Sequence, residues 1–207
     1  MKKIIFLIIV TILVIGIYFF LKDRKVFYFS IIDYNSSYRF NNFISDYLDE
    51  VDKNEEVINY DVQNSRVIDL INLINNNEVI GDRKIKNILI KADLVSLSLG
   101  FDELYLKLDN YDFINKYLVN IEDLLKLIRK NCKEKIVFIG FYNFKKDIKY
   151  DYYVNFLNKM IRNICDKYNV YFIDTYDLIM YLEGDKFNIE GEHIIFNRIN
   201  DLLKTSY

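Results

Sequence analysis

A histidine and a carboxylate near the end of the chain are the residues whose types and spacing could do chemistry. His193 is the only histidine in the 207 residues, and Glu190 precedes it by three positions. An imidazole titrates near neutral pH and can act as a general base when a carboxylate orients it. A lone histidine is more often an incidental surface or capping residue, so the place of His193 in the fold must decide its role.

A predicted strand that ends in a glycine supplies a second candidate part of a functional site. Residues 94–99 combine Leu and Val with two small serines, which is typical of a strand buried on both faces, and Gly100, Asp102 and Glu103 follow it. An open α/β sheet presents its binding site at the carboxyl ends of its strands. His193 lies in a loop after the last predicted strand, so we expect it at the same edge of the sheet as Gly100.

The turn after the first predicted strand offers hydroxyl groups. Asp33, Tyr34, Ser36 and Ser37 lie in this turn, directly before a helix that begins near Tyr38. A serine hydroxyl becomes a nucleophile when an adjacent base such as histidine accepts its proton. The competing interpretation is that one of the two serines caps the helix, because serine is a preferred N-cap residue.

Alternating strands and helices predict the sheet that would position these residues. Branched and aromatic residues predict five strands, at 26–32, 56–62, 94–99, 135–142 and 170–174. Apolar residues at three- and four-residue intervals predict the helices, at 40–51, 67–74, 85–91, 118–132, 150–168, 176–182 and 194–203. Short connections between them favour parallel pairing, so we predict a three-layer α/β/α domain with a doubly wound, five-stranded parallel sheet.

An apolar run from Ile4 to Leu21 precedes the first strand. Its eighteen residues would form a helix of about 27 Å, close to the ~30 Å hydrocarbon core of a bilayer. Because no small-residue cleavage site follows, we favour an uncleaved single-pass anchor over residues 1–25 and a domain over 26–207, with a cleaved signal peptide as the alternative. We expect the domain outside the cytoplasmic membrane, although basic residues flank both ends of the run.

Composition excludes several classes of function. The net charge is −2 with both signs interspersed, so we expect no nucleic-acid partner. Cys132 and Cys165 lack the spacing of a metal site or a disulfide framework, so we expect buried or half-buried free thiols rather than a disulfide. No glycine-rich phosphate loop follows any predicted strand, which argues against a module that binds a nucleotide or flavin. We expect no cofactor and no metal, and the sequence leaves the oligomeric state open.

Two short motifs and the order of the elements resemble a known family. Residues 92–100 with Asp102 are similar to the family block Gly-x-Asn-Asp, and residues 190–193 are similar to its last block, Asp-x-x-His. The family is the SGNH, or GDSL, hydrolases, which are serine esterases and lipases with a flavodoxin-like sheet, and the likeness covers most of residues 26–203. The resemblance implies that His193 is the base, that Glu190 orients it, and that Gly100 lies beside the oxyanion hole.

The chain departs from the family pattern at four positions. Tyr34 stands where the family has its nucleophilic serine, although Asp33 before it is retained. Asn64 stands for a glycine and Asp102 for an asparagine of the oxyanion hole, and Glu190 stands for the triad aspartate. A tyrosine phenol, with a pKa of about 10, is a poor substitute for serine. A negative charge opposite the oxyanion also opposes acyl transfer, where the loss of one donor costs about 100- to 1000-fold in rate.

These residues support two hypotheses. In the first, the chain is a membrane-anchored SGNH-like protein whose ester-hydrolysis centre is lost or much weakened, and whose cleft serves binding or scaffolding at the cell envelope. In the second, it is an active esterase or acylhydrolase, with Ser36 or Ser37 as nucleophile, His193 as base and Glu190 as the orienting acid. Its ligand would then be a lipid or an acylated envelope glycan.

Overall fold

The centre of the fold is a parallel sheet. The computed structural model describes Phe6 and residues 9–15, 26–32, 55–61, 66–104, 107–143, 148–184 and 186–204. The five strands of the sheet are β1 (Val26–Ile32), β2 (Glu55–Asp61), β3 (Leu94–Ser98), β4 (Lys135–Ile139) and β5 (Tyr171–Ile173). Their order is β2-β1-β3-β4-β5, and each neighbouring pair is parallel. This order reverses direction between β1 and β3, which is where doubly wound sheets bind their ligands.

Helices follow the strands and return the chain to the amino edge of the sheet. They are α1 (Val67–Asn76), α2 (Ile85–Lys91), α3 (Phe101–Leu104), α4 (Tyr111–Asn131), α5 (Ile148–Lys167) and α6 (Ile189–Lys204). A 3-10 helix, Tyr176–Tyr181, follows β5. Two antiparallel hairpins complete the described elements: Val79–Ile80 with Arg83–Lys84, and Leu182–Glu183 with Lys186–Phe187.

Alternation along the strands divides the apolar side chains between the two faces of the sheet. In β1, Phe29 and Ile31 are buried in a cluster that includes residues of α1, α2, α4 and α5, whereas Tyr28 is buried in a second cluster on the other face. The residues of α6 in that second cluster are Ile195, Phe196 and Ile199. Because β3 is buried along its whole length, it forms the middle of the core, as its apolar sequence predicts.

Hydrogen bonds between side-chain hydroxyl groups connect β1 and β3 on the face of the sheet that carries Tyr28. Ser30 and Ser96 are register partners, and the Ser96 hydroxyl donates a hydrogen bond of 3.3 Å to that of Ser30. The Tyr28 hydroxyl shares a short hydrogen bond with Ser96. Burial raises the pKa of Tyr28 to about 12, so the phenol stays protonated at physiological pH. These bonds satisfy hydroxyls that would otherwise be costly to bury.

The predicted fold class is confirmed, but one boundary differs where it matters. The α/β class, the parallel sheet and its five strands all occur as predicted. The last helix begins at Ile189 rather than at 194, because Asn188 caps it and its first turn, although polar, is helical. Arg66 is the N-cap residue of α1. The predicted helix at 40–51 lies outside the described residues.

The N-terminal run is described only at Phe6 and at residues 9–15, which are helical. The large apolar side chains of residues 9–15 are 41–64% exposed. Within the described parts of the chain, no helix combines the length and apolar character that crossing a membrane requires. The membrane anchor therefore stays a prediction. Cys132 and Cys165 are free and buried, as predicted.

Candidate active site at the carboxyl edge of the sheet

Gly100 forms a tight turn directly after β3, at the reversal point of the sheet. Its φ of +96° lies in a region that side-chain-bearing residues rarely adopt. A Cβ atom at this position would overlap the Tyr117 hydroxyl and lie 2.7 Å from two carbons of the same ring. The Tyr117 hydroxyl donates a hydrogen bond of 2.9 Å to the Leu99 carbonyl, so the ring holds the turn from behind. Backbone conformation and packing therefore both require glycine here.

Glu103 has a structural role in the same turn. Its carboxylate accepts a hydrogen bond of 3.0 Å from the backbone N–H of Val67, the first residue of α1. A carboxylate suits this place because the N–H groups at a helix start lack partners within the helix and carry partial positive charge. Glu103 thus ties the turn after β3 to the start of α1. Of the family's oxyanion positions, the structure describes Gly100 fully and Asp102 only as helical backbone.

The remaining predicted residues near β1 and β2 lie outside the described residues. These are Asp33, Tyr34, Ser36, Ser37 and Asn64. Their strands are described, however: β1 ends at Ile32, next to the end of β3, and β2 ends at Asp61 on its other side. The chain therefore leaves the sheet toward the predicted nucleophile turn at the same edge as Gly100.

His193 and Glu190 lie in the first turns of α6, not in the loop that the sequence predicts. Both are exposed, and a spacing of three places them on one face of the helix. The Asn188 side chain caps this helix by accepting a hydrogen bond of 3.0 Å from the N–H of Gly191. A Cβ at Gly191 would lie 2.9 Å from the Tyr181 Cβ, so glycine at this position lets the turn pack against the residues that precede it.

Glu192 is an unspecified position in the Asp-x-x-His motif, yet its side chain is buried. It is 4% exposed, whereas Glu190 and His193 on either side are open to solvent. Burial of a carboxylate is costly unless it is paired or hydrogen-bonded, so Glu192 is a candidate for positioning the turn that presents His193. Only its place in the first turn of a helix could have drawn attention to it, because acidic residues favour helix starts.

A buried loop after β4 supports the start of α6. Phe141 is held by Asn158 of α5, whose side chain accepts from the Phe141 N–H at 2.8 Å and donates to its carbonyl at 2.7 Å. The Thr175 hydroxyl donates to the Gly140 carbonyl at 2.9 Å, which joins this loop to the end of β5. The Tyr142 ring lies 4.2 Å from that of Phe187, just before α6. The loop is therefore fixed on both sides.

Two arginine–aspartate pairs among the described residues lower the pKa of their carboxyl groups. The Arg66 guanidinium hydrogen-bonds Asp69 and lowers the pKa of that carboxyl. Hydrogen bonds of 2.6 and 3.0 Å from Arg198 lower the pKa of Asp177 in the same way. Among the described residues, no group of three or more His, Cys, Asp or Glu side chains could hold a metal ion.

A groove of about 610 Å³ runs along β5 and includes the Arg198–Asp177 pair. Its lining comes from β5, the 3-10 helix and the middle of α6, and includes Asp174, Asp177, Arg198 and Asp201. Neither Gly100 nor His193 lines it. The groove therefore does not include the described candidate residues Gly100, Glu190 and His193.

Solved structures with the same architecture are esterases and other hydrolases. Axe2, an acetylxylan esterase from Geobacillus stearothermophilus, superposes with a TM-score of 0.63 at 13% identity, over 85% of this chain and 93% of its own. TesA superposes with a TM-score of 0.62 at 9% identity, over 86% of this chain and 98% of its own. The chain has the fold of the SGNH hydrolases. LAE5, an alpha/beta hydrolase from the metagenome of Lake Arreo, is a third SGNH-like neighbour, with a TM-score of 0.60 at 13% identity, over 81% of this chain and 90% of its own.

The Axe2 structures also identify residue types that matter in that esterase. Three of them are described as catalytic mutants, in which an aspartate, a histidine or a serine is replaced by alanine. The aspartate and the histidine of Axe2 are three positions apart, which is the spacing between Glu190 and His193. No family model and no curated protein matches this chain.

Proposed function

We propose that this chain is a membrane-anchored SGNH-fold protein whose ester-hydrolysis centre is lost or much weakened, and that its cleft serves binding or scaffolding at the cell envelope. The observation that carries the proposal is a contrast within one site. The Gly100 turn keeps a positive φ that favours glycine and its supporting tyrosine, whereas Tyr34 and Asp102 correspond in sequence to the family's nucleophile and oxyanion positions. The scaffold of the site is therefore kept while two chemical groups that acyl transfer needs are replaced.

The two replacements act on different parts of the reaction. A tyrosine at position 34 brings a bulkier, less basic oxygen than a serine alkoxide to the attacked carbonyl. An ionised Asp102 repels the negative charge that develops on the substrate oxygen, where an asparagine would donate a hydrogen bond. Each change alone lowers the rate, and together they leave His193 without an effective nucleophile to activate.

A second candidate function is an active esterase or acylhydrolase. The pair of Glu190 and His193 favours it, because both lie exposed on one face of α6 at the edge where the Gly100 turn ends β3. The spacing of the pair equals that of the replaced aspartate and histidine in Axe2, an esterase of acetylated xylan. Ser36 or Ser37 would then supply the nucleophile and His193 would accept its proton.

Restoration of the two replaced groups separates the candidates. In the full chain solubilised in mild detergent, we expect wild type to hydrolyse p-nitrophenyl acetate no faster than His193→Ala and to form no adduct with a fluorophosphonate probe. Tyr34→Ser combined with Asp102→Asn should gain both hydrolysis and an adduct at position 34, and His193→Ala in that background should remove them. An adduct at Ser36 or Ser37 in wild type would instead establish the esterase.

The membrane anchor is supported by the eighteen-residue apolar run and by the exposed apolar side chains of its helical residues 9–15. We expect the expressed chain to stay with membranes at alkaline pH and to float with liposomes. Release into the soluble fraction, with a mass that begins after the apolar run, would show a cleaved signal peptide instead. We also place the domain outside the cytoplasmic membrane. A membrane-impermeant maleimide should therefore label Lys133→Cys on intact cells, and protection until lysis would reverse that orientation.

A further inference from the structure

The two described halves of the candidate site lie on different elements. Gly100 follows β3, whereas His193 lies near the start of α6. A binding or catalytic site needs its groups at fixed relative positions, so these two elements must be held in place with respect to each other. A continuous series of packed aromatic side chains leads from one element to the other, through the loop that follows β4.

Tyr117 of α4 connects the Gly100 turn to this loop. Its hydroxyl donates a hydrogen bond of 2.9 Å to the Leu99 carbonyl, and its ring is the group that a Cβ at Gly100 would overlap. The same ring meets Phe141 edge to face, with the centroids 6.2 Å apart and the planes inclined at 72°. Both rings are almost completely buried, so neither can move without displacing its neighbours in the core.

Tyr142 continues the series to α6. It follows Phe141 in the chain, its side chain is buried, and its ring centroid lies 4.2 Å from that of Phe187. Phe187 in turn lies against Gly191, where an added Cβ would be 3.0 Å from the Phe187 Cδ1 and 3.2 Å from its Cβ. Phe187 therefore packs against the turn of α6 that directly precedes His193.

The loop that carries Phe141 and Tyr142 is itself anchored. The Asn158 side chain bonds both the N–H and the carbonyl of Phe141, and the Thr175 hydroxyl bonds the carbonyl of Gly140. A segment that is buried and hydrogen-bonded on both sides transmits a displacement rather than absorbing it, because packed protein interiors have low compressibility. A shift of the Tyr117 ring is therefore passed to the loop and from there to Phe187.

We infer that Tyr142 and Phe187 are positioning residues that set the place of His193, and that the aromatic bridge formed by Tyr117, Phe141, Tyr142 and Phe187 couples the Gly100 turn to the start of α6. Packed side chains of this kind carry energetic coupling between separate parts of a site. A ligand that displaces one half of the site would then change the geometry of the other. The inference rests on the proposed function for placing Gly100 and His193 in one site, but it does not depend on turnover.

The single histidine provides a direct measurement of the positioning role. In the full chain in mild detergent, labelled with [13Cε1]histidine, the one imidazole NMR signal belongs to His193. At fixed pH, Phe187→Leu should move this signal, because it removes the ring that packs against Gly191, and Tyr142→Leu should do the same. Phe156→Leu is the matched control, since Phe156 and Phe187 are both half-buried against the same core cluster, and it should move the signal several-fold less. A signal that Phe187→Leu leaves in place, or that both phenylalanine variants move equally, would overturn the positioning role.

The coupling is tested by a double-mutant cycle with the same signal. Gly100→Ala displaces the Tyr117 ring, so it should move the His193 signal. Gly81→Ala, where an added Cβ meets no atom within 4 Å, should not. In the Phe187→Leu background the effect of Gly100→Ala should fall several-fold, because the bridge is broken. If Gly100→Ala does not stay folded, Tyr117→Phe, which removes the hydroxyl and keeps the ring, takes its place in the cycle. Equal displacement in both backgrounds, or none in either, would overturn the coupling.

These outcomes are distinguishable from those for the proposed function. An adduct of a fluorophosphonate probe at Ser36 or Ser37 would overturn the loss of hydrolysis and leave the positioning of His193 as inferred. A His193 signal that ignores the bridge variants would overturn the positioning role and leave the test of hydrolysis unaffected.

Discussion

Replacing Gly100 by alanine should destabilise the domain far more than the same change at another glycine with positive φ. The backbone conformation alone costs about 1–2 kcal/mol for a residue with a Cβ. The new methyl group must also displace the Tyr117 ring, which breaks the hydrogen bond to the Leu99 carbonyl. Leaving that buried carbonyl without its partner adds about 1–3 kcal/mol. We therefore expect a loss of about 2–5 kcal/mol in the free energy of unfolding.

Gly81→Ala is the matched control, because Gly81 has a φ of +62° but a Cβ added there would meet no atom within 4 Å, so it should lose only about 1 kcal/mol. Urea unfolding of the full chain in detergent, followed by circular dichroism and tyrosine fluorescence, measures both. Tyr117→Phe removes the hydroxyl that the methyl group overlaps, so Gly100→Ala should cost less in that background than in wild type. Equal losses at Gly100 and Gly81, or strict additivity with Tyr117→Phe, would refute this account of the turn.

Three other residue groups give further predictions. Asn158→Ala should lower the free energy of unfolding by about 2–4 kcal/mol, because it leaves a buried N–H and carbonyl unpaired, while Asn163→Ala on the exposed face of the same helix should change it little; urea unfolding measures both. Asp177→Asn should destabilise the domain at pH 7 but not at low pH. The pKa of Asp177 is lowered on folding, so its contribution is present above the ordinary Asp pKa of about 4 and is lost as pH falls through the folded-state value; thermal unfolding across pH measures this difference. Cys132 and Cys165 should react with a maleimide at pH 8 only after unfolding, because burial raises the pKa of both thiols, that of Cys165 to about 12; rapid labelling of the folded chain, read by mass spectrometry, would contradict their burial.

The sequence predicts the sheet well because a buried strand is apolar along its own length, so the signal lies within a few consecutive residues. Residues 94–98 are apolar or small at every position, and all five are buried in β3. The same pattern places Gly100 at the edge where the candidate site lies. Periodicity also locates α4 and α5, although the predicted start of α4 at residue 118 comes seven residues after its observed start at Tyr111.

Residues that act across the fold leave no such local trace. Asn158 holds the backbone of Phe141 from seventeen positions away, and Glu103 caps α1 from thirty-six positions away. Both residues are polar, and the periodicity of the sequence does not indicate which distant residue a polar side chain will contact. The sequence pattern places His193 before the last helix for a related reason: a glycine and two acidic residues in the first turn hide a helix start that Asn188 creates by capping. Tertiary packing and capping therefore decide what local propensity cannot.

The hydroxyl groups of Tyr28, Ser30 and Ser96 have a consequence for how the strands find their alignment. Neighbouring strands could pair in a shifted register at a small cost in free energy if only apolar side chains lay between them. A slip of one residue between β1 and β3 would turn Ser96 onto the opposite face of the sheet from Tyr28 and Ser30 and break the hydrogen bonds between the two strands. The chain contains no proline and only 6 glycines to punctuate its strands. The three hydroxyls thus act as an internal alignment mark that penalises misregistered pairing of β1 and β3.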